Sequence, residues 1–207
     1  AVEQFASSMD LTRLRWLEKL PRALASVASE LQVPIKIDLD RVCHELKATL
    51  ADMSRIVWDA FASDMNGRDS SRRLSDAEIE SFLGEPLRLV SAHANDLSAL
   101  AVTLGDELRA RMKEEPGSNA RWSALYVAVG SYAPRITETQ HAVDMLLSED
   151  EEARTTAKWC SAEVNGSYIG LQLQACPILP GDLLRYHLWP RIRGAVVTSA
   201  TLQSCGS

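Results

Sequence analysis

Two stretches of this sequence have residue types and spacing that suit chemistry. Near the carboxyl end, Gly194-Ala-Val-Val-Thr-Ser-Ala-Thr-Leu-Gln203 holds a short apolar run, 195–197, that stops at three hydroxyl side chains, Thr198, Ser199 and Thr201. A short apolar run bounded by polar residues reads as a buried strand. Small polar side chains at the carboxyl end of such a strand are what an α/β fold places at its nucleotide crevice; an ordinary strand and turn has the same pattern. The second stretch is Asn66-Gly-Arg-Asp-Ser-Ser-Arg-Arg73, which has no apolar residue and reads as a mobile loop. Arg68, Arg72 and Arg73 form the densest positive cluster outside the carboxyl-terminal segment and suit contacts to DNA phosphates. Asp64, Asp69 and Asp76 offset them, so the plainer reading is a solvated tip.

Phosphoryl transfer needs a glycine-rich loop with its lysine, a metal-holding carboxylate and arginines for the developing charge. The sequence has no G-x-x-x-x-G-K-[ST], no Asp-Glu-x-His, no G-x-S-x-G and no H-E-x-x-H. The chain by itself is therefore expected to hold no catalytic residue. Four cysteines, Cys43, Cys160, Cys176 and Cys205, lack a C-x-x-C pair, which points to reduced thiols rather than a zinc site or a disulfide framework. His44 and His141 have no second ligand at metal spacing, so no metal site is expected.

The chain has 207 residues, 46% hydrophobic and 24% charged, enough for a real core in one large or two small domains. Its net charge of −6 argues against a freestanding nucleic-acid binder, because such domains carry a basic face. Any DNA contact must be local. No apolar run reaches the roughly 18 residues of a membrane span, and no basic stretch precedes an apolar core at the amino end, so neither membrane nor export is expected. The sequence begins in mid-pattern and ends on a motif, as an excised fragment would.

The positioning elements are mostly helices. Residues 9–31 space Leu11, Leu14, Leu17, Leu20, Leu24, Val27, Ala28 and Leu31 at helical intervals, with Asp10 as cap and a bend or break near Pro21. A second helix is expected over 38–65, with Leu39, Val42, Cys43, Leu46, Leu50, Met53 and Val57 on one stripe, about 42 Å long. Ser75-Asp-Ala-Glu78 is a capping box for a short helix to about Leu83, interrupted by Gly84 and Pro86. A third rod, 87–114, carries a near-heptad seam from Leu87 to Met112, with a bend or close packing at Gly105; Glu114-Glu-Pro-Gly-Ser118 is a turn. A fourth helix spans 119–147, kinked at Pro134, its aromatic residues read as core rather than as base-stacking rings. Such rods are best satisfied by an up-and-down bundle. After the acidic linker 149–152, Asn165-Gly166 predicts a hairpin whose second strand buries Ile169, Leu171, Leu173 and Ala175. A short helix capped by Asp182 then leads to the hydroxyl-tipped strand. The fold class is thus mainly α, a long-helix bundle with a small carboxyl-terminal hairpin and strand segment.

Residues 156–207 resemble the segment that enters the second motor domain of the DinG helicases, relatives of the XPD helicases in superfamily two. The shared pattern is Lys158-Trp159, a hairpin, a strand with Cys176-Pro177, Leu188-Trp189-Pro190-Arg191-Ile192, and Val196-Val-Thr-Ser-Ala-Thr-Leu202. In that family the last run is the third helicase motif, which couples nucleotide state to DNA movement, so the resemblance assigns coupling to Thr198, Ser199, Ala200, Thr201 and Leu202. It implies residues 1–34 as the helix leaving the first motor domain, 35–150 as the helical Arch, and 151–207 as the entry to the second motor domain. The intact parent would be a cytoplasmic bacterial DNA-repair or replication helicase. It would move five-prime to three-prime on single-stranded or forked DNA, with ATP, Mg²⁺ and an iron–sulfur cluster, none of them held by this fragment. Two other classes fit the residues: a non-enzymatic helical adaptor, and a lone DNA-binding module using Arg68, Arg72 and Arg73 with Arg185, Arg191 and Arg193. The sequence names no protein partner.

Overall fold

In the computed structural model, which describes residues 7–61, 63, 69–148, 156–165, 168–178 and 189–193, a single helix of 39 residues is the spine of the molecule. In chain order the elements are β1 (Ser7–Asp10), α1 (Arg15–Leu31), α2 (Leu39–Phe61), β2 (Asp69–Arg73), α3 (Asp76–Glu114), α4 (Asn119–Gly130), α5 (Ala133–Leu147), β3 (Thr156–Asn165) and β4 (Tyr168–Pro177). The protein is mainly helical, and the four strands among the described residues form one antiparallel sheet in the order β1-β4-β3-β2.

The seam expected on α3 is real. Leu87, Val90, Ala94, Leu97, Ala101, Leu104 and Leu108 are all buried, against α2 on one side and α4 and α5 on the other. The interruption expected at Gly84 and Pro86 is absent: the helix starts at the Ser75 capping box and continues through both residues. Proline removes one backbone hydrogen bond from a helix, but Ile79 and Leu83 before it and Leu87 and Val90 after it are all buried, which holds the axis in line. The Glu80 carboxylate accepts twice from the Arg88 guanidinium at 2.8 Å, bridging the segment from outside. Among the described residues Gly105 gives no close packing, since an added Cβ there meets only the Arg109 guanidinium at 3.9 Å.

Other boundaries differ for local reasons. Residues 9–31 hold a strand end and a turn before the helix. Asp10 Oδ1 accepts from the backbone N–H of Thr12 and of Arg13, both at 2.8 Å, so Asp10 closes a turn instead of capping α1. Pro21 lies buried inside an unbroken α1, which ends where Gln32 takes a left-handed φ of 59°. The helix expected over 119–147 is split at Ser131 and Tyr132, with Pro134 in the first turn of α5 where its missing N–H costs nothing. The segment 66–73 was expected as a loop. Its second half, Asp69–Arg73, is instead strand β2, paired residue by residue with β3 from Asp69↔Glu163 to Arg73↔Trp159.

The hairpin at Asn165 forms, with Asn165 opposite Tyr168. One face of the sheet presents Met9, Cys160, Ala162, Leu171, Leu173 and Ala175, all buried against the helices. Ile169, expected on that buried face, is 36% exposed. The core is continuous from Met9 through Leu17, Leu50 and Leu104 to Leu173, so the amino-terminal strand, the bundle and the hairpin share it. The helix expected after Asp182 and the strand at 195–197 lie outside the described residues, apart from a short 3-10 turn at Trp189–Arg191.

Candidate functional site

Of the three clustered arginines, Arg68 lies outside the described residues, and β2 sends the other two to opposite faces of the sheet. Arg72 shares its face with buried Cys160 and is committed there. Its guanidinium lies 4.2 Å from the Phe61 ring centroid and donates to Glu78 Oε1 at 2.6 Å. The same Glu78 closes the capping box of α3, so Arg72 links β2 to both α2 and α3. Arg73 points the other way, is exposed, and makes no ion pair among the described residues. As a candidate for phosphate contact, Arg73 therefore stands and Arg72 is already occupied. The coupling residues Thr198, Ser199, Ala200, Thr201 and Leu202, and with them Arg185, lie outside the described residues. Arg191 and Arg193 are exposed.

Glu78 is held far below the ordinary carboxylate range, at about 2 against 4.5, first by the Ser75 backbone N–H, then by the Arg72 guanidinium and the Ser75 hydroxyl. A depressed carboxylate contributes stability that is complete above its unfolded pKa and is lost as pH falls through its folded value. This contribution is thus expected to vanish between about pH 4.5 and 2. Denaturant unfolding across that window should show a shallower acid dependence in Glu78→Gln than in the wild type; identical slopes would remove Glu78 from the acid limb.

Lys158 has a role that the sequence reading did not give it. Its side chain is 2% exposed, and its ammonium donates to Asp76 Oδ1 at 2.8 Å, the Leu146 carbonyl at 2.9 Å and the Ser148 carbonyl at 3.2 Å. One hairpin residue thereby ties the start of α3 to the end of α5. The signal was its parity: residues 158, 160 and 162 all fall on the inward face of β3.

The opposite face of the sheet is polar. Ser71, Ser161, Gln172 and Asp10 lie in one row across the four strands, and Arg73, Trp159, Gln174 and Ser8 in the next. A shallow concavity of about 280 Å³ runs along this face, lined among others by Asp10, Arg13, Ser71, Ser161, Glu163 and Gln172. Arg13 sits 3.8 Å from Asp10 and 3.0 Å from Glu163, one guanidinium between two carboxylates.

The three described cysteines lie apart in the fold, and Cys205 is outside the described residues. Burial raises Cys43 to about 11 and pushes Cys160 upward, so both are held as thiols. Cys176 has the opposite strand parity from the inward Leu173 and Ala175, and Cys43 lies on α2. These three therefore do not fit an iron–sulfur cluster, and among the described residues no group of three or more His, Cys, Asp or Glu is placed to hold a metal ion. His44 and His141 are exposed. Trp122 is core, as read, whereas Tyr126 is 37% exposed with the Arg109 guanidinium 5.9 Å from its ring. No described helix is long and apolar enough to cross a membrane. Comparison with known families finds no matching family model, and comparison with curated proteins finds no match.

Proposed function

We propose that this chain is part of a DinG-like, ATP-dependent DNA helicase, contributing the helical Arch and the strands that lead into the second motor domain. The observation that carries the reading is the order of signatures in 158–202: Lys158-Trp159, the hairpin, Cys176-Pro177, Leu188-Trp189-Pro190-Arg191-Ile192 and Thr198-Ser199-Ala200-Thr201. Long helices packed on an antiparallel hairpin are compatible with it. The bundle's role is mechanical: it encloses the single strand while the motor domains move it. ATP, Mg²⁺ and the iron–sulfur cluster belong to the parent outside this chain, whose sequence has no phosphate-gripping loop and no C-x-x-C pair. Ser199 and Thr201 relay the nucleotide state between motor domains through their hydroxyls, and the setting is bacterial and cytoplasmic.

The test is the intact parent protein, assayed for ATP hydrolysis stimulated by single-stranded DNA and for five-prime to three-prime unwinding. Thr201→Ala is expected to lower unwinding about ten-fold or more while ATP hydrolysis falls only a few-fold, the pattern of an interaction that acts in coupling rather than in the chemical step. Equal losses in both would remove the coupling role. No response of hydrolysis to single-stranded DNA would remove the helicase reading.

A further inference from the structure

We draw no further inference here: the strongest candidate, the shallow groove between α3, α4 and α5 that is lined by Ala101, Val102, Gly105, Tyr126, Gly130 and Ile136, is an unpartnered apolar face, and nothing in the structure shows what covers it.

Discussion

Lys158→Ala is expected to lower the free energy of unfolding by about 3 kcal/mol, read from denaturant midpoints at constant m-value. The buried ammonium has three acceptors, and they are unequal. Asp76 is 66% exposed, so water takes over its carboxylate when the lysine is removed, and with that partner in solvent the pair is worth about 1 kcal/mol. The Leu146 carbonyl, in a buried bond, has no such replacement, whereas that of Ser148 is part-buried. The first lies in the last turn of α5, where helical carbonyls lack intrahelical partners, and each buried acceptor left unsatisfied costs about 1–3 kcal/mol. Alanine also leaves a gap where the lysine stem was buried. Lys158→Met should cost less, about 1–2 kcal/mol, because methionine fills the space and removes a buried charge while still leaving the Leu146 carbonyl unpaired. Asp76→Asn should cost under about 1 kcal/mol. If Asp76→Asn proved as damaging as Lys158→Ala, the ion pair would be the tie and the carbonyls incidental.

The contrast between Lys158 and Arg72 shows what the sequence made legible and what it concealed. Helices α2 and α3 could be read because their stripes repeat over several turns, and Leu87 to Leu108 form an unbroken buried seam. The hairpin could be read because Asn-Gly is a local turn signal and β4 alternates. Strand β2 gave no such signal. Asp69-Ser-Ser-Arg-Arg73 has low strand propensity and no apolar residue, and it is a strand because β3 supplies a partner edge that no local rule reveals. That pairing then decides the candidate site, since it alone sends Arg72 to Phe61 and Glu78 and leaves Arg73 beside Trp159. The continuity of α3 through Gly84 and Pro86 is another tertiary outcome: local breakers lost to four buried side chains flanking them. The amino-terminal strand was concealed by its length, four residues of Ser-Ser-Met-Asp, of which only Met9 is a large apolar side chain.

A pair of substitutions at adjacent positions of β4 should separate the two faces of the sheet more sharply than any other test. Leu173 is fully buried, paired with Met9 on one side and Cys160 on the other, and belongs to the core that the helices close. Leu173→Ala is expected to cost about 3 kcal/mol, from the lost transfer of the side chain and the cavity left in a site framed by two fixed strands. Gln174, one residue on, faces the other way. Its amide donates to Gln172 Oε1 at 2.9 Å and to the Ser161 hydroxyl at 3.3 Å, and both bonds sit on the polar face. Gln174→Ala should cost under about 1 kcal/mol, because water replaces what is lost. A large cost at both positions would mean that the polar face is itself covered in the folded protein. A large cost at Leu173 alone leaves that face open to solvent.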